Sequence, residues 1–63
     1  MPDRLRQARE AAGLSQSEVA ERLAVSQAAI SRWESGRKSP SLSRVQQLAE
    51  LYRVSLDWLV FGK

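Results

Sequence analysis

Between residues 27 and 44 the chain carries Arg32, Arg37, Lys38 and Arg44 against a single acid, Glu34. These account for the whole net charge of +3, because the remaining bases (Arg4, Arg6, Arg9, Arg22, Arg53, Lys63) are matched by the remaining acids (Asp3, Glu10, Glu18, Glu21, Glu50, Asp57). A local excess of cations in an otherwise balanced chain is the electrostatic footprint of a phosphate-binding face, or else a basic loop held in solvent. Histidine and cysteine are absent. That removes the usual general base near neutral pH, the commonest metal ligand and any disulfide or thiolate site. The carboxylates are too few and too scattered for a metal cage. A Ser–Lys or paired-carboxylate site has no sizeable pocket to form in. The chain reads as a non-enzyme with no cofactor, no metal and no small-molecule substrate.

The elements that must position those cations are helices, since no segment alternates as a strand does. At 63 residues and 43% hydrophobic content, with eight of the apolar residues alanine, the chain has side chains for one small domain, residues 1–63. Such a core supplies roughly 3–5 kcal/mol of net stability. The longest apolar run is Trp58–Phe61, whereas a membrane span needs about 20 residues, and no signal-peptide pattern opens the chain. A cytoplasmic protein with no membrane partner is expected.

A first helix is expected from Pro2–Asp3 to Ala12, with Asp3 capping its start, Gly13 closing it, and Leu5, Ala8 and Ala12 on one face. The second opens on Ser15-Gln16-Ser17-Glu18, a capping box, with Leu14 and Val19 spaced as a hydrophobic staple. It ends near Ala24. The third starts after Ser26, runs from Gln27 to about Glu34 and stops at Ser35-Gly36. Its inner face is Ile30 and Trp33. Its outer face is Gln27, Ala28, Ser31 and Arg32, with no acid. After a turn over 36–41, Ser41 caps a fourth helix whose buried stripe is Leu42, Val45, Leu48, Ala49 and Tyr52. Ser55 caps a short fifth helix, Leu56–Phe61, which Gly62 ends.

Only Ala24-Val25-Ser26 separate the second and third helices. So short a link forces a steep crossing, in which a small Ala20, an apolar Val25 and a branched Ile30 meet in the angle. This is a helix-turn-helix in physical terms: a rigid corner that presents one outer helix face.

The segment Gln16–Trp33 resembles the helix-turn-helix of the lambdoid phage repressors and Cro proteins and of the wider bacterial regulator family built on them. The similarity extends through Arg9, Leu14-Ser15-Gln16, Trp33-Glu34-Ser35-Gly36-Arg37, Pro40 and Val54-Ser55-Leu56-Asp57-Trp58-Leu59, and so covers essentially the whole chain. It implies an all-α, compact five-helix repressor-like DNA-binding domain whose third helix enters the major groove of double-stranded operator DNA.

On this resemblance Gln27 takes the first base-contacting position, where glutamine pairs with adenine N6/N7. Ala28 offers a methyl to thymine or simply fills space. Arg32 either forks onto guanine O6/N7 or binds a phosphate, and Ser31 reaches either or neither. Gln16 is implied to clamp one phosphate at the start of the second helix. Ser35, Gly36, Arg37 and Lys38 grip another, with Gly36 also serving as a helix cap. Arg9 and Glu34 map onto a largely buried ion pair, which leaves residues 27–44 presenting +4. The sequence departs from the family at Ala24, where glycine is usual. A positive φ there costs alanine on the order of 1 kcal/mol, unless the turn is remodelled.

One helix in one groove reads few bases, and the family resemblance implies a homodimer, at least on DNA, over a near-palindromic site. Leu56, Val60 and Phe61 exceed what the core absorbs and are the candidate dimer surface, with Trp58 and Leu59 assigned to the core. The rival reading is a protein-interaction or antitoxin-type module of the same fold, with DNA binding secondary. An interaction-only module has no reason to exclude acids from the third helix's outer face. RNA is disfavoured because that face lacks aromatics to stack on unpaired bases.

Overall fold

A computed structural model describes all residues, 1–63. Five helices follow one another: α1 (Pro2–Ala11), α2 (Gln16–Leu23), α3 (Gln27–Ser35), α4 (Leu42–Tyr52) and α5 (Leu56–Phe61). The last four start where short polar side chains can satisfy first-turn amides. Ser15 Oγ accepts from the Glu18 amide, Ser26 Oγ from Ala29, Ser41 Oγ from Arg44 and Ser55 Oγ from Trp58. The Ser15 amide donates in return to Glu18 Oε1 at 2.9 Å, completing the capping box. That amide, with the Ser15 hydroxyl second, holds the Glu18 carboxyl below its ordinary range.

The first helix departs from its expected start and end. Met1, not Asp3, is the N-cap residue, and it makes no side-chain cap. Pro2 at N1 already has helical φ and needs no amide partner, so the helix begins earlier and Asp3 falls in its first turn, where the dipole favours an anion. At the other end the helix stops at Ala11, and Ala12 is turned out to solvent instead of joining Leu5 and Ala8 inside. Gly13 takes φ +73, as a left-handed exit requires.

The core is one cluster gathered from all five helices: Leu5 and Ala8; Val19, Ala20 and Leu23; Ile30 and Trp33; Val45, Leu48, Ala49 and Tyr52; and Leu59. Leu14, Val25, Trp58 and Val60 pack against it from the edge. Leu42 is a correction. It is 66% exposed, because it is the first residue of α4 and lies beyond the stripe that Val45 begins. The corner between α2 and α3 closes as the spacing requires: Ala20 and Ile30 are buried, and the Val25 amide donates to Ala20 O at 3.0 Å. Ala24 holds φ 58 and ψ 42, so the turn keeps its left-handed residue without a glycine. Arg53 does the same after α4, at φ 58.

Two arginines tie helix ends across the fold. Arg4 Nε and Nη2 donate to Leu59 O and Val60 O at 3.2 and 2.9 Å, satisfying carbonyls at the end of α5. Arg44 Nη1 donates to Leu23 O at 2.9 Å and to Gln47 Oε1 at 3.0 Å, which fastens α4 to the end of α2. Arg44 is therefore half-buried and engaged, and of the local excess only Arg32, Arg37 and Lys38 stand free in solvent.

Candidate nucleic-acid interface

The orientation of α3 is set from its inner side. Ile30 is 1% and Trp33 8% exposed, so this side is sealed in the core. One residue further, Glu34 forms the only ion pair in the chain: Oε2 accepts from Arg9 Nε at 2.7 Å and Oε1 from Arg9 Nη2 at 3.1 Å. Both side chains are largely buried. The paired Glu34 raises the Arg9 guanidinium's affinity for its proton, against an opposing effect of burial. Arg9 Nη1 also donates to Leu14 O at 2.9 Å, so one guanidinium fixes α1, the entry to α2 and the end of α3 together. Tyr52 lies near the same charges, and its hydroxyl is pushed up to about 12, first by burial and then by Glu34, with Arg9 opposing.

With the inner side fixed, the outer side faces solvent. Gln27, Ala28, Ser31 and Arg32 are all exposed. Ala28, Ser31 and Arg32 share a shallow depression with Ser35 and Arg37. Arg32 also borders a second hollow with Lys38, the Ser39-Pro40-Ser41 turn and the start of α4. The structure thus brings Ala28, Ser31 and Arg32 together with the α3–α4 turn, while Gln27, exposed at the start of α3, lines neither depression. No acid lies in the first turn of either α3 or α4.

The turn after α3 is folded back on itself. The amides of Gly36, Arg37 and Lys38 all donate to Arg32 O, the latter two at 3.0 and 3.4 Å, and Ser35 Oγ donates to the same carbonyl at 3.2 Å. In this conformation the Arg37 and Lys38 side chains, rather than the backbone amides, are the free donors. Two features favour glycine at position 36. It sits at φ +78, and a Cβ there would meet Pro2 Cγ at 3.3 Å. Gln16 is placed differently from the rest: it is half-buried at the start of α2, and its Nε2 donates to Glu34 Oε1 at 3.2 Å.

The three residues assigned to a dimer surface divide. Phe61 is 70% exposed, while Leu56 and Val60 are half-buried against the core. Sequence reasoning missed the ties made by Arg4 and Arg44 and the left-handed Arg53, and no local signal marks them. No three metal-ligating side chains are grouped, and no helix is long and apolar enough to cross a membrane.

Two helices joined by three residues around a buried corner, with the second exposing an acid-free outer face, define a helix-turn-helix protein. The family model described as "Helix-turn-helix", of the Cro/C1 type, matches residues 5–59, and the chain belongs to this family of DNA-binding transcriptional regulators. Among curated relatives, the chain is 36% identical over 61 residues to the HTH-type transcriptional activator BcrR of Enterococcus faecalis, covering 97% of this chain and 30% of that protein. It is 37% identical over 57 residues to the HTH-type transcriptional regulator ImmR of Bacillus subtilis (strain 168), covering 90% of this chain and 45% of the relative. An uncharacterised HTH-type transcriptional regulator of the same organism, YobD, is 35% identical over 57 residues, covering 90% and 51%. The chain thus spans between about a third and about half the length of these relatives.

Proposed function

We propose that residues 1–63 form a single sequence-specific DNA-binding domain of a repressor-like regulator, working in the cytoplasm of a bacterium or on behalf of a phage. Its α3 reads the major groove of an operator through Gln27, Ala28, Ser31 and Arg32. The side chains of Gln16, Arg37 and Lys38 hold the flanking phosphates, and Ser35 and Gly36, whose own donors are spent on Arg32 O, shape the turn that brings Arg37 and Lys38 to the backbone. Two copies bind a near-palindromic site, paired through Leu56, Val60 and Phe61. The observation that carries this reading is the exposed, acid-free outer face of α3, continuous with the unpaired cations Arg32, Arg37 and Lys38.

Selection of bound sites from randomised duplex tests it. The expected product is a symmetric sequence with half-sites about 34–36 Å apart. Failure to enrich any sequence sinks the specific reading, and an asymmetric single half-site sinks the dimer. Arg37→Ala and Lys38→Ala should weaken binding to all duplexes alike and lower the slope of log affinity against log salt by about one each. One relative is an activator by name, so a reporter assay with the selected site at and upstream of the promoter decides the sign of regulation.

The exposure of Phe61 supports a second reading, in which the α5 surface binds a different protein, as in an antitoxin-type module. Sedimentation of the chain on its selected site separates the two: a dimer that Phe61→Ser dissolves supports the homodimer, and a monomer supports the alternative.

A further inference from the structure

Glu34 accepts one hydrogen bond more than its ion pair with Arg9 supplies. Arg9 Nε occupies Oε2 at 2.7 Å, while Oε1 accepts from both Arg9 Nη2 at 3.1 Å and Gln16 Nε2 at 3.2 Å. An ionised carboxylate only accepts, so the amide nitrogen of Gln16, not its oxygen, must face Glu34. One of its two N–H groups is thereby bonded and the amide plane is fixed. The other N–H and the carbonyl oxygen have no partner in the chain. Gln16 is the first residue of α2, and its own backbone amide and that of Ser17 precede the capped amide of Glu18. Those two amides have no intrahelical partner. Three free N–H donors therefore lie together at one helix start, and one of them, on the Gln16 side chain, is held relative to α3 by a buried carboxylate.

Resting on the DNA-binding reading above, we infer that Glu34 is a positioning residue for DNA contact: it orients the Gln16 amide toward a phosphate. Arg9 completes the device. It holds the carboxylate with two donors and the entry to α2, at Leu14 O, with a third. The packed corner sets how α2 and α3 cross, and one guanidinium–carboxylate–amide chain then sets the Gln16 amide at the phosphate-gripping start of α2 relative to the groove-reading α3. Such a chain touches no DNA at Arg9 or Glu34, yet it governs whether both contacts are made at once.

A thermodynamic cycle tests this. Duplex affinity is measured for the full chain and for Gln16→Ala, Glu34→Gln and the double variant, with thermal midpoints recorded beside them. Gln16→Ala should lower affinity for every duplex about three- to tenfold, the loss of one hydrogen bond. Glu34→Gln should lose a similar factor, and adding Gln16→Ala to it should lose nothing more. Losses that multiply, or a Gln16→Ala protein that binds as well as the parent, overturn the proposal. If Glu34→Gln does not fold, Arg9→Met/Glu34→Leu replaces both charges with apolar groups, an exchange often neutral for stability, and the same criterion applies to it. Lys38→Ala lies outside this chain of contacts and reports on the underlying reading. If it weakens binding while the other losses multiply, only the positioning role falls. A chain that binds no duplex at all overturns both.

Discussion

The two sides of α3 are finished in opposite ways. Inward, Ile30 and Trp33 are sealed and Glu34 is gripped by Arg9 and Gln16. Outward, Gln27, Ser31 and Arg32 are exposed, and no carboxylate pairs with Arg32, Arg37 or Lys38. The contrast explains how so small a domain can present fixed donors. The entropy of ordering the helix is met on folding by its inner contacts, so a ligand on the outer face meets a helix already in place. Had the outer side found acids of its own, folding would gain little, since surface ion pairs contribute about 0–1 kcal/mol, and the face would lose its charge.

The contrast can be broken most forcefully from inside. Glu34→Ala strands the buried Arg9 and should cost about 3–5 kcal/mol, comparable to the roughly 3–5 kcal/mol available to a core of this size. Circular dichroism at 25 °C should then show a largely unfolded chain. A variant that keeps its helices with only a small drop in melting temperature would show that the inner side is not held by this pair. Outside, Gln27→Ala should leave stability within about 0.5 kcal/mol of the parent. On the selected operator it should cost about 1–3 kcal/mol of affinity and relax one base position. Equal losses on selected and random duplex would remove Gln27 from reading.

The corner joining the two sides offers a smaller, opposite effect. Ala24→Gly relieves a left-handed alanine at φ 58 and should add about 1 kcal/mol. In a domain of this length that raises the melting temperature by about 4–8 °C, and DNA affinity should not change. Alkali probes the inner side alone. Because the folded Tyr52 hydroxyl is pushed up to about 12 from 10.0, its contribution to stability is complete below pH 10 and is lost as the pH rises toward 12. Denaturant midpoints measured across that interval should fall, and Tyr52→Phe should flatten the decline.

Much of this arrangement was legible in the residues. Ser15, Ser26, Ser41 and Ser55 mark four helix starts because a short hydroxyl next to an apolar-periodic run has one favourable use. The corner was legible for the same reason: three residues between helices leave few geometries. Asp3 misled because proline at N1 starts a helix without a capping side chain. Leu42 misled because periodicity reports which face a residue is on and says nothing about whether a neighbour reaches that far along the helix. The ties of Arg4 and Arg44 were not legible at all. Their acceptors are backbone carbonyls 55, 56 and 21 positions away, which any sequence provides. For the same reason a count of charges overstated the free basic face by one arginine. At the interface, the acid-free pattern 27-28-31-32 showed in the spacing, whereas the bond from Gln16 to Glu34 depends on how α2 and α3 cross.

The Arg4 tie has a consequence for how the molecule comes apart. Its guanidinium bridges the first turn of α1 to the carbonyls of Leu59 and Val60, so one side chain fastens α1 to α5. Loosening the first turn uncovers acceptors at the far end, and unwinding the last turn leaves a cation near the front without a seat. The first turn of α1 and the last turn of α5 are thus coupled through one side chain.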